Sequence, residues 1–247
     1  MKTLFAVPLL VLMVGASAAA AGGPVTYDVN GVKYEGYYAP AGADAPLILL
    51  IHDWDGPGDY ELKRAEMLVQ LGYSVFVADL FGAGVRPTAL EDRRKQTGAL
   101  YNDRSKMRAL MNAALKQAQA EGANVGNAVA MGYCFGGAAV LEMARSGADL
   151  KGFVSFHGGL ATPEGQNYSN IKGSVLVLHG TADAVVSMED FAKLATDMES
   201  NGVKHEMITY SGAPHAFTVF DIDSYREDAD KKSWQRFTEY LAETLKQ

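Results

Sequence analysis

Three residues have the types and the chain order that nucleophilic acyl transfer requires: a thiol at Cys134, a carboxyl at Asp183 and an imidazole at His215. Cys134 is the centre of Gly132-Tyr133-Cys134-Phe135-Gly136-Gly137. A sharp strand-to-helix turn needs small residues two before and two after its nucleophile, because backbone segments come too close there for side chains. The same turn lifts the central side chain to a helix N-terminus, where the positive end of the dipole favours a thiolate. Asp183 follows Gly180-Thr181-Ala182 after an apolar run, and His215 ends Ser211-Gly212-Ala213-Pro214-His215 in the last loop before the terminal helix. Taken singly each is weak evidence: a lone Cys is often an apolar filler, an Asp a helix cap, a loop His a solvated residue. Their joint order and placement are specific.

A second element of such a site is a pair of backbone N–H groups that stabilise a developing oxyanion. One is expected from Phe135, directly after the nucleophile, and the other from Trp54 in His52-Asp53-Trp54-Asp55-Gly56. His52 and Asp53 also invite a metal reading, but no further ligand stands at a recognisable spacing, so no metal is expected. His179 and His205 lie in or beside expected strands, and His157 precedes the acid in chain order, so none of them competes with His215 as base. Trp54, Tyr133 and Phe217 would either wall an apolar substrate pocket or pack in the core.

These residues need a scaffold, and the chain spells one. Val25–Val29 and Val32–Tyr38 alternate across Asn30-Gly31, the signature of a two-residue hairpin. Pro46–His52 is a continuous apolar run, as in a strand buried on both faces. Further strands are expected at Ser74–Leu80, Asn127–Met131, Gly152–Phe156, Ser174–His179 and His205–Tyr210. Helices are expected at Tyr60–Leu71, Asp103–Glu121, Gly136–Ser146, Ser187–Asn201 and Asp228–Lys246. This rhythm predicts an α/β fold with a mostly parallel central sheet, an antiparallel N-terminal hairpin and helices on both faces. Phe81–Thr97 reads as a long irregular loop, a lid or pocket wall.

The chain has 247 residues, 48% of them hydrophobic and 21% charged, enough for the core of one sizeable domain. A net charge of −7 leaves no basic field for a polyanion, so nucleic acid is not an expected partner. Residues 1–21 read differently: Lys2, an apolar run from Leu4 to Val14, then Ala16-Ser17-Ala18-Ala19-Ala20-Ala21. That is the pattern of a secretory signal peptide, with an apolar stretch shorter than the roughly 20 residues that span a bilayer. Residues 22–247 form the expected mature domain, acidic, monomeric, without stable membrane insertion, and periplasmic or secreted. Exported chains usually pair their cysteines; this one has a single Cys, which again sets Cys134 apart.

The motif Gly132-Tyr133-Cys134-Phe135-Gly136-Gly137 resembles the nucleophile motif of the dienelactone hydrolase (carboxymethylenebutenolidase) family, of which Cys in place of Ser is the mark. The resemblance extends from the first buried strand through His215-Ala216-Phe217-Thr218 and the last helix. It implies an α/β-hydrolase fold, no cofactor, a Cys134–Asp183–His215 triad, and cleavage of a small-molecule ester or lactone through a thioacyl intermediate. It also implies a carboxylate near the resting thiol, matched by Asp53 where the best-known members carry the longer Glu. Those members hold a substrate carboxylate with arginines; Val219 occupies one such position, which leaves Arg86 as the candidate. The residues alone leave open a thioesterase or peptidase, or a non-catalytic thiol-sensing or binding protein on the same fold.

Overall fold

The computed structural model describes residues 22–245. Residues 1–21, the expected signal peptide, lie outside the described residues, and among the described residues no helix is long and apolar enough to cross a membrane.

One eight-stranded sheet forms the centre, in the order β1-β2-β4-β3-β5-β6-β7-β8. The hairpin β1 (Gly23–Val29) and β2 (Val32–Ala39) turns at Asn30-Gly31 and adds antiparallel to β4 (Ser74–Ala78). From β4 onward every pairing is parallel: β3 (Pro46–Ile51), β5 (Asn124–Tyr133), β6 (Gly152–Phe156), β7 (Ser174–Gly180) and β8 (His205–Tyr210). Helices α1 (Asp59–Gln70), α2 (Leu90–Asn102), α3 (Arg104–Ala120), α4 (Phe135–Arg145), α5 (Met188–Ser200) and α6 (Glu227–Thr244) connect or follow them.

Strand alternation divides the core into two layers. Leu47, Leu49, Ile51, Ala128 and Ala130 face Met107 and Met111 of α3, Val140 of α4, and Leu194 and Met198 of α5. Ile48, Leu50, Val129 and Met131 face Ala65 and Leu68 of α1 and Phe237 and Leu241 of α6. The unbroken apolar run of β3 follows from this, since both of its faces are covered and all six residues are buried. Each such aliphatic side chain removed from water contributes about 1.5–3 kcal/mol.

The chain leaves β3 for β4 on one side and returns to place β5 on the other, so the direction of winding reverses between β3 and β5. At such a switch the loops after adjacent strands diverge and open a crevice at the carboxyl ends. The loop after β3 carries Trp54, and the turn after β5 carries Cys134.

The segment expected as a loop from Phe81 to Thr97 is helical from Leu90 onward, which confines the irregular stretch to Phe81–Ala89. Helix α2 buries only Leu100 and so carries no apolar stripe from which its period is legible.

Candidate active site

Cys134 stands at a bend the backbone adopts under strain. It has φ 50 and ψ −112 between the last residue of β5 and the first of α4. The flanking glycines permit the bend: a Cβ on Gly132 would lie 2.3 Å from the Gly136 carbonyl, and one on Gly136 would lie 2.2 Å from the Ile51 carbonyl oxygen. The elbow is therefore wedged directly against the end of β3, and Cys134 is half-buried there.

The loops after β7 and β8 are stitched together before they deliver their side chains. Thr181 N–H donates to the Tyr210 carbonyl at 3.0 Å, Ala182 N–H to that of Ala213 at 3.0 Å, and Gly212 N–H to Thr181 Oγ1 at 2.9 Å. His215 Nδ1 then meets Asp183 Oδ2 at 2.8 Å, and His215 Nε2 meets Cys134 Sγ at 3.1 Å. An ionised Asp183 can only accept, so Nδ1 carries the proton and Nε2 presents its lone pair to the thiol. Burial alone would raise the Asp183 carboxyl; the bond from His215 and the N–H groups of Val186 and Val185 on its other oxygen outweigh this and hold it below the usual carboxylate range.

The helix N-terminus that favours a thiolate does not act alone on Cys134. Burial, and next the carboxyl of Asp53, push Cys134 up to about 12, against the smaller opposing pull of the Phe135 N–H. The helix dipole is outweighed by desolvation, and the resting sulfur is a thiol that faces His215 Nε2. Asp53 is itself raised, first by burial and then by the carboxyls of Asp55 and Glu61, against a smaller downward pull from the Asp55 backbone N–H, which donates to Asp53 Oδ1 at 3.1 Å. Neighbouring Glu61 is raised by burial as well; it accepts from Gly58 N–H at 2.9 Å and from Asp53 N–H at 3.4 Å.

His52 is a strut. Leu80 N–H donates to its Nε2 at 3.2 Å and its Nδ1 contacts the Asp53 carbonyl at 2.6 Å, so Nε2 is the acceptor and Nδ1 the donor. Full burial lowers its pKa and keeps it neutral, and both ring nitrogens are occupied. It thereby ties the loop bearing Trp54 to the end of β4.

Three expected substrate contacts take other roles. Arg86 gives its guanidinium to backbone: Nε donates to Pro57 O at 2.6 Å and Nη1 to Val85 O at 2.9 Å, with Asp79 at 3.8 Å. It fastens the loop after β4 to the loop after β3 and offers no free fork to a carboxylate. Tyr133 and Phe217 are fully buried core residues and not pocket walls. Tyr133 points away from the thiol, as strand alternation requires, into the rings of Tyr60 and Phe156, each at 4.9 Å. Phe217 packs against His157 and Tyr210.

Behind His215 lies a buried polar network that chain order did not reveal. His157 packs edge-on to the His215 ring at 5.5 Å, and its Nε2 pairs with Thr218 Oγ1 at 2.8 Å. Tyr60 also bonds that hydroxyl at 2.8 Å, and Arg64, ion-paired with Asp230, donates to the Thr218 carbonyl at 2.8 Å. The segment following the base is thus held from α1, α6 and the end of β6. Arg64 and Asp230 stand 166 positions apart, and the burial that makes each need the other is set by the fold and not by the local sequence.

The sequence pattern of the dienelactone hydrolase family matches residues 35–245. The Aquifex pyrophilus protein usf is 26% identical over 212 residues, 83% of this chain and 88% of its own. Among solved structures, m3DLH aligns with TM-score 0.84 and 29% identity over 91% of this chain and 98% of its own. A dienelactone hydrolase-like promiscuous phosphotriesterase from metagenomic libraries aligns with TM-score 0.85 and 27% identity, over 93% and 100% respectively.

Proposed function

Since this chain belongs to the dienelactone hydrolase family and is a carboxylic ester hydrolase, we propose that it cleaves a small-molecule ester or lactone through a thioacyl intermediate on Cys134. The observation that carries this reading is the unbroken line from Cys134 Sγ to His215 Nε2 and from His215 Nδ1 to Asp183 Oδ2.

In this cycle the substrate carbonyl enters the crevice between the β3 and β5 loops. Because burial keeps the thiol neutral, His215 Nε2 takes its proton as sulfur attacks the carbonyl carbon. The N–H groups of Phe135 and Trp54 receive the oxyanion; no described residue accepts from Trp54 N–H, which leaves it free for that role. Collapse expels the alkoxide, which takes the proton from His215 Nε2 and leaves the acyl group on sulfur. Water, deprotonated by His215, attacks the thioester; the acid departs and the thiol recovers its proton. Asp183, held ionised, stabilises the imidazolium in both halves.

We propose further that residues 1–21 direct export and are removed. The mature protein would then begin after Ala21, which N-terminal sequencing of protein from its native host reads directly.

A panel of aryl esters and lactones assayed beside Cys134→Ala tests the activity. Hydrolysis that disappears in the variant is the expected result. Undiminished hydrolysis by Cys134→Ala would contradict the reading, and a protein alkylated at Cys134 that turns over nothing would favour a thiol sensor.

A further inference from the structure

Helix α2 lies beside the crevice without being built into the core, Leu100 being its buried residue. Two of its side chains contact the site. Tyr101 packs edge-on against Phe135 at 5.5 Å, next to the nucleophile. Arg93 reaches the loop after β3: its guanidinium lies over the Trp54 ring at 5.1 Å, its Nη2 is 3.4 Å from Asp55 Oδ2, and its Nε donates to the Pro87 carbonyl at 3.1 Å.

Two consecutive residues of the loop are therefore gripped by one side chain, and the first of them carries the N–H assigned to the oxyanion. On its inner side this loop is tied by Asp53 N–H to Glu61 and by Asp55 N–H to Asp53. Arg93 holds it from the solvent side. We propose that Arg93 is a positioning residue that latches α2 onto Trp54 and Asp55 and so fixes the Trp54 N–H for the transition state. The inference rests on the thioacyl reading and extends it to where the second oxyanion donor gets its rigidity.

The planar guanidinium suits this task, because stacking on an indole and pairing with a carboxylate use different faces of one group. With Arg93 26% exposed and Asp55 42% exposed, the latch sits at the surface, where its loss leaves the core untouched. A donor displaced by part of an ångström acts on the transition state more than on the bound ester, so its signature is a fall in kcat at nearly constant KM.

The test is ester hydrolysis by the full protein in a Trp234→Phe background, which leaves Trp54 as the single tryptophan. Arg93→Ala should lower kcat about tenfold with KM changed less than about twofold, a part of the loss from deleting a donor outright. Trp54 emission should shift to longer wavelength in the same variant, and Arg93→Lys, which keeps charge but loses the stack, should fall between. Wild-type kcat in Arg93→Ala, an effect confined to KM, or a kcat loss with unshifted Trp54 emission would each overturn the latch. Cys134→Ala separates the two levels: if it remains active the thioacyl reading itself fails, whereas an inactive Cys134→Ala beside a fully active Arg93→Ala removes only the latch.

Discussion

Cys134 Sγ lies 3.1 Å from His215 Nε2 across 81 positions of chain, and the opposite nitrogen of that ring lies 2.8 Å from Asp183 Oδ2. The ring is thereby oriented and its tautomer fixed before any substrate arrives. In the proposed cycle the first proton transfer is from sulfur to imidazole, with the carboxylate stabilising the charge that results.

Asp183→Asn tests the fixed tautomer. An amide at this place can donate to Nδ1 and so leave the proton on Nε2, which then cannot accept from the thiol, so kcat should fall about 10³- to 10⁴-fold while the fold persists. Steady-state kinetics with an aryl ester measure it; a loss below about tenfold would show that the carboxylate does not select the tautomer.

The pH dependence of thiol reactivity follows from burial. A pKa pushed up to about 12 leaves Cys134 in its neutral form below that value. Alkylation of the resting enzyme by iodoacetamide should keep rising with each step from about pH 6 to about pH 9, because only the thiolate reacts. A rate already level in the acidic part of that range would mean a resting thiolate–imidazolium pair.

Gly136→Ala should unfold the elbow or displace it from β3. The added Cβ would stand 2.2 Å from Ile51 O and 2.5 Å from His52 O, both rigid backbone. A loss of about 3 kcal/mol or more in urea unfolding is expected. Gly126→Ala, whose Cβ would meet nothing nearer than Asn124 Oδ1 at 3.6 Å, should change stability little. Equal behaviour of the two would refute the packing argument.

The Arg64–Asp230 pair is buried, with 1% and 7% of the side chains exposed. Asp230→Leu alone strands a cation in the core and should cost about 3–5 kcal/mol, whereas Arg64→Met with Asp230→Leu should recover much of it. Because Arg64 also holds the Thr218 carbonyl, the double variant should regain stability while kcat stays reduced. Full recovery of both would show that the network does not position His215.

Much of this was legible in the amino-acid sequence, for local reasons. Small residues around Cys134, the apolar run of β3 and the loops ending in Asp183 and His215 are direct consequences of close approach, burial and chain order, and the structure brings these residues together. What stayed hidden depends on contacts between distant segments. Alternation could have shown that Tyr133, one residue before Cys134, must face the opposite layer. The backbone bonds that occupy Arg86 have no sequence signature, nor does the seat of His157 behind His215. Helix α2 escaped because a helix with one buried residue has no period to read. The thiol's protonation state needed burial as well as dipole, and burial is decided by the whole fold.

The proposed cycle passes through a covalent acyl group on one sulfur. Quenching the enzyme in acid within the first turnovers of an activated aryl ester, followed by peptide mass spectrometry, tests it most directly. The account predicts one acyl mass on the peptide containing Cys134, appearing with the burst of released phenol and absent from Cys134→Ala. A burst with no such adduct, or an acyl group on another residue, would contradict it.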